Sequence, residues 1–150
     1  MDSCVFNEVI VFAARKEAES ANLYQVYANL ASASNVKNMF KEMRREELKH
    51  QKLLENIKLK DISAYKLKDI PDLKIGDYST QGEFSPDMKY AEALMLAIKK
   101  EEMSYKLYQD LAFSSKDEDL KKLFLVLVSE EAKHKLKLEE EYDKTVTSEN

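Results

Sequence analysis

A chain of 150 residues, 44% apolar and 35% charged, has the material to bury one continuous core without staples. Two Gly, two Pro and no Trp argue against sheet, which needs turn residues and β-branched runs, and for long amphipathic helices. The formal net charge of −4, with both signs interspersed, excludes the basic footprint of nucleic-acid binding, and a single cysteine, Cys4, excludes an internal disulfide or a cysteine-based metal cage.

Helix 1 is expected from about Ser3 to Ala33, with an inward stripe Phe6, Ile10, Ala13, Glu17, Ala21 (or Ser20), Tyr24 and Ala28 spaced by threes and fours. Its apolar opening, Cys4 to Ala14, lacks a basic leader and falls short of the roughly 18 apolar residues of a spanning helix. It is therefore read as helix start, with no membrane segment and a cytoplasmic location. Helix 2, about Val36 to Lys58, offers Val36, Phe40, Met43, Glu47, His50, Leu54 and Ile57. The short link near Ser34-Asn35 forces the two to run antiparallel.

A connection of about 26 residues, Leu59 to Phe84, follows and carries Pro71, Gly76 and Gly82. Its length lets helix 3 run parallel to helix 2, and its apolar residues Ile62, Tyr65, Leu67, Ile70, Leu73 and Ile75 are expected to pack on the helices. Helix 3 is expected to begin with Ser85 as N-cap, Pro86 at the first helical position and Asp87 in the first turn. Its stripe runs Tyr90, Leu94, Ala97, Glu101, Ser104, Tyr108 and Leu111. Helix 4, from about Lys116-Asp117 to residue 142, presents Leu120, Phe124, Leu127, Glu131, His134 and Leu138 and leaves a short C-terminal tail. The expected fold class is all-α: a single four-helix bundle of two helical hairpins, 3–58 and 85–142, joined by the long crossover 59–84.

The two hairpins repeat each other. Shifting the chain by 84 residues aligns 5–58 with 89–142 without a gap, and 17 of the 54 pairs are identical. Lys16-Glu17 matches Lys100-Glu101, Leu23-Tyr24-Gln25 matches Leu107-Tyr108-Gln109, and Lys49-His50 matches Lys133-His134. Such a repeat implies two hairpins about a pseudo-twofold axis, with equivalent ligands delivered from each half.

The two histidines of the chain both sit in Glu-x-x-His tetrads, Glu47 to His50 and Glu131 to His134. Residues i and i+3 share a helix face, so each tetrad aims a carboxylate and an imidazole at one point. Glu17, Glu47, Glu101 and Glu131 all fall on apolar stripes, where four ionised carboxylates are prohibitive unless something neutralises them. Protonation is one way; two divalent cations balance the charge fully, and two neutral imidazoles complete the donor set. Such a set suits iron or manganese. Glu47 and Glu131 are read as bridging ligands, Glu17 and Glu101 as terminal ones. Glu46 and Glu130, one step off the stripe, are read as solvated or supporting residues. Tyr24 and Tyr108, two turns beyond Glu17 and Glu101, either hydrogen-bond a ligand carboxylate and cap the pocket or are plain core tyrosines. The His-Glu-x-x-His motif of zinc proteases is absent.

The pattern Glu17 … Glu47-x-x-His50 … Glu101 … Glu131-x-x-His134 resembles the ferritin-like di-iron carboxylate proteins, most closely the rubrerythrin-like branch, over about 110 residues. The resemblance implies two non-haem iron ions per chain (manganese being the alternative metal) on those six residues, and reduction of hydrogen peroxide or dioxygen in oxidative-stress defence. It also implies a homodimer. Full-length rubrerythrins carry two Cys-x-x-Cys motifs that deliver electrons; none is present here, so the reductant is expected to be a separate electron-donor protein. Peroxidase rubrerythrins carry a further carboxylate one turn after the helix 3 glutamate, where this chain has Ser104. Bacterioferritin shares the six-ligand pattern, but about eight residues follow the expected helix 4, short of a fifth helix, and Leu48 stands where its haem-binding methionine falls. Haem is therefore not expected. The alternative functions are iron binding or ferroxidase activity without peroxidase turnover, and a metal-free helical protein whose groove holds a partner.

Overall fold

The computed structural model describes residues 3–59 and 82–149, with side chains from 6 to 57 and from 82 to 147. Among them are four α-helices and no strand pairing into a sheet: α1 Ser3–Leu30, α2 Ser34–Leu59, α3 Tyr90–Ser114 and α4 Glu118–Glu149. They form two compact units, one built on α1 and α2, the other on α3 and α4, the content of a four-helix, all-α fold made of two hairpins. No Gly or Pro interrupts any of the four helices, so nothing local breaks them. The crossover 59–84, including the packing expected of Ile62, Tyr65, Leu67, Ile70, Leu73 and Ile75, lies for residues 60–81 outside the described residues.

In the first hairpin, where α1 packs on α2, the apolar stripes predicted from periodicity are buried at Phe6, Ile10, Ala13, Ala21, Tyr24 and Ala28 of α1 and at Phe40, Met43, Leu54 and Ile57 of α2, while Val36 is only half-buried. An aromatic cluster closes the turn end. Tyr24 stacks on Phe40 at a centroid distance of 6.1 Å, and Tyr27 meets the same Phe40 edge-on at 5.6 Å. Burial pushes the Tyr27 phenol well above its ordinary range, so it stays protonated. In the second hairpin Leu94, Ala97, Leu107 and Leu111 of α3 and Leu127 and Leu138 of α4 are buried. Tyr108 stacks on Phe124 with centroids 6.5 Å apart and rings inclined by 14°. The pairs Tyr24/Phe40 and Tyr108/Phe124 are 84-residue equivalents, so the repeat holds in packing as well as in letters. Truncating Phe40 or Phe124 to Ala is expected to cost about 3–5 kcal/mol, read from the urea midpoint. A loss under about 1 kcal/mol would contradict their place in the core.

Three boundaries differ from expectation. The first hairpin turns at Ala31–Ala33, not at Ser34-Asn35: Ala31 N–H donates to the Tyr27 carbonyl at 2.9 Å, and Lys37 N–H to the Ala33 carbonyl at 3.0 Å. The Lys37 ammonium reaches back to the Ala28 carbonyl at 3.3 Å and satisfies the end of α1. Alanine's helix propensity yields there to the tertiary need to reverse direction. Helix α3 begins at Tyr90, not at Ser85-Pro86. Met88 N–H donates to the Ser85 carbonyl at 3.0 Å and Asp87 N–H to Ser85 Oγ at 3.4 Å, so these residues make a turn just before the helix. A Ser followed by Pro and Asp serves a β-turn as well as it serves an N-cap, so the local signal is degenerate. Finally, α4 runs on to Glu149, and the expected tail from 143 is helical. Thr145 Oγ1 donates to the Glu141 carbonyl at 2.9 Å there; the run is polar but contains no breaker.

Candidate metal centre

Each hairpin buries a Glu–Glu–His triad in the middle of its apolar stripe. In the first, α1 supplies Glu17 and α2 supplies Glu47 and His50; relative exposures are 1%, 1% and 5%. Ligand-capable atoms of the three lie within 4.8 Å of one another. His50 Nδ1 stands 3.5 Å from Glu17 Oε2 and 3.7 Å from Glu47 Oε1. In the second, α3 supplies Glu101 and α4 supplies Glu131 and His134, exposed by 1%, 1% and 0%, again within 4.8 Å of one another. His134 Nδ1 stands 3.7 Å from Glu101 Oε1. The same ring nitrogen faces the carboxylates in both halves.

Local helix geometry explains the convergence. Glu47 and His50, and likewise Glu131 and His134, are i, i+3 pairs on one face. The antiparallel partner helix then brings Glu17 or Glu101 against that face. The donor set of each triad, two carboxylates and one imidazole, fits a divalent first-row cation with oxygen preference, and neither triad offers a thiolate. Burial makes the fit pointed: a carboxylate at 1% exposure has lost its hydration, and a cation restores what water no longer supplies.

Tyr24 and Tyr108 are buried, at 2% and 1% exposure, and their rings lie in the aromatic layer on Phe40 and Phe124. Seven residues separate each from its glutamate, about 10 Å along the helix axis. Ser20 and Ser104, one turn past Glu17 and Glu101, are buried as well. Glu46 and Glu130 are half-buried, as their position beside the stripe predicts. Glu130 nonetheless brings an oxygen within 4.8 Å of a His134 ring nitrogen, an i, i+4 approach that its stripe position does not advertise. Nothing in the periodicity singles out Tyr27 either; its counterpart in the second half is Leu111. None of the helices among the described residues is long and apolar enough to cross a membrane.

Two helical hairpins, each with a buried carboxylate–carboxylate–imidazole triad, define a class of helical proteins with sites suited to metal. Within that class the chain belongs to the rubrerythrin family, whose family model matches residues 8–90 and 92–150. No match was found among curated proteins or among solved structures.

Proposed function

We propose that this protein is a non-haem di-iron oxidoreductase that reduces hydrogen peroxide or dioxygen. Glu17, Glu47 and His50 would hold one iron ion and Glu101, Glu131 and His134 the other. The observation that carries the reading is the doubling: two triads of the same composition, buried alike, 84 residues apart in a chain of the rubrerythrin family. Bound as ferrous ions, the pair would supply two electrons, one from each iron, and these together with two protons drawn from solvent turn hydrogen peroxide into two waters.

The chain's own residues set the conditions for that chemistry. The four carboxylates offset the charge of two divalent cations, which keeps the loaded core near neutrality. Apolar neighbours such as Ile10, Ala13, Met43, Leu94 and Leu127 are buried and keep bulk water away. Ser20 and Ser104 are buried one turn past Glu17 and Glu101, where their small size would leave room for solvent or dioxygen. Electrons would come from a donor protein. The location consistent with this reading is the cytoplasm, and manganese is the alternative metal on the same ligands.

Ser104, standing where peroxidase rubrerythrins place a further carboxylate, favours one second reading: ferrous iron is bound and oxidised without repeated turnover. Stopped-flow oxidation of the anaerobically iron-loaded protein separates the two. Under the first reading, peroxide or dioxygen oxidises the protein, and a chemical reductant restores it through repeated cycles. Oxidation that occurs once and cannot be reversed by any reductant would instead support the store. Mössbauer spectra of the oxidised form are expected to show two antiferromagnetically coupled irons; uncoupled ions would contradict a shared centre.

A further inference from the structure

The two hairpins carry the same triad but do not close over it alike. Between α1 and α2 lies a depression of about 300 Å³, walled by Ile10, Val11, Ala14, Ala18 and Gln51 and edged by the exposed Arg15 and Glu55. Three of these residues are chain neighbours of the first triad: Ala14 stands one turn before Glu17, Ala18 follows Glu17, and Gln51 follows His50. The Gln51 amide donates to Glu55 Oε1 at 2.9 Å, one turn further along α2. His50 keeps 5% exposure, where the other five triad residues keep 1% or less. The counterparts in the second hairpin are larger or tied together. Ile98 replaces Ala14 and is buried; Glu102 replaces Ala18, Lys135 replaces Gln51, and these two form an ion pair at 3.3 Å. The depression that borders this pair takes in Tyr105, Ala132 and Leu136, but no counterpart of Ile10, Val11, Ala14 or Arg15.

Resting on the di-iron reading above, we propose that the depression between α1 and α2 is the entrance through which a small uncharged oxidant reaches the first triad, and that Ala14, Ala18 and Gln51 keep it open. Methyl side chains at positions 14 and 18 leave the seam between the helices uncovered beside Glu17 and His50. An isoleucine and an ion pair stand there in the other half. The chemistry of the walls says what passes. They are mostly aliphatic, and the two edge charges, Arg15 and Glu55, are of opposite sign. A hydrated divalent cation would shed water there with no net countercharge to replace it, which is costly. Dioxygen and hydrogen peroxide carry no charge and meet no such penalty, and the Gln51 carboxamide oxygen can accept a hydrogen bond from peroxide. The entrance therefore admits the oxidant in preference to the metal, and it serves one half of the chain.

Nitric oxide, an uncharged diatomic, is the probe, and its binding to the full chain loaded anaerobically with ferrous iron is followed by stopped-flow absorption. A14I/A18E/Q51K, which installs the residues of the second hairpin, is expected to bind it at least about tenfold more slowly than wild type (k_on ratio converted as about 1.4 kcal/mol per tenfold). Iron stoichiometry and helical circular dichroism are expected to stay unchanged. Adding I98A/E102A/K135Q to that variant is expected to return the rate to the wild-type value, because the same passage then opens in the second hairpin. A14I and A18E/Q51K, made separately, are each expected to slow binding at least about threefold, and they carry the test should the triple variant not fold. An unchanged rate in these variants at full iron loading would overturn the entrance while leaving the di-iron reading intact. A rate that the second set of substitutions does not recover would overturn the role given to these three positions. A wild type that binds no ferrous iron would overturn the entrance and the di-iron reading together.

Discussion

Replacing Glu47 and His50 together with Ala is expected to reduce iron loading from about two ions per chain to less than one. Two of the three donors in the first triad are lost, leaving Glu17 alone. Removing even an outer partner of a metal ligand costs about 10–100-fold in affinity, and removing two direct donors costs more. The corresponding E131A/H134A variant is expected to behave alike, because its triad has the same composition and burial. The informative control is E8A/E92A. Glu8 and Glu92 are also identical across the repeat, yet both are exposed, so loading should not change. Equal losses in control and test would show that duplication, without burial, was misleading. Metal content by mass spectrometry after anaerobic loading and desalting reads each case directly.

The second large effect runs against the usual direction of core mutagenesis. E47Q/E131Q removes two buried charges while keeping shape, and the metal-free form of this variant is expected to be more stable than the metal-free wild type. An ionised group taken out of water carries a desolvation penalty that its neutral amide avoids, so relief of the clustered carboxylates is expected to stabilise by about 1–4 kcal/mol. For a chain of this length that corresponds to about 2–16 °C in Tm. The same variant should lose the thermal stabilisation that iron gives the wild type, since a ligand that binds only the folded state stabilises by mass action. Calorimetry with and without ferrous iron under argon gives both comparisons. A variant less stable than wild type in the absence of metal would mean that these glutamates serve packing or hydrogen bonding instead of awaiting a cation.

How much of this was legible beforehand depends on the level. Stripe membership was, because burial of one helix face is a property of periodicity: Glu17, Glu47, Glu101 and Glu131 are all 1% exposed, as their apolar neighbours at three and four residues demand. Convergence within each triad followed from i, i+3 geometry plus one antiparallel partner. Helix ends were less legible. Ser85-Pro86-Asp87 satisfies two local motifs, and only the observed hydrogen bonds choose the turn. The hairpin reversal at Ala31–Ala33 contradicts propensity, since chain reversal there is set by packing of α1 on α2. The polar continuation of α4 past residue 142 leaves no apolar signal to extend.

Whether the two triads hold a pair of irons is tested most directly by metal content and identity in protein purified without added metal. About two first-row metal ions per chain are expected, predominantly iron, and both are expected to be lost in E47A/H50A. Protein that carries no metal as purified, and takes up none when ferrous iron is supplied anaerobically, would contradict it.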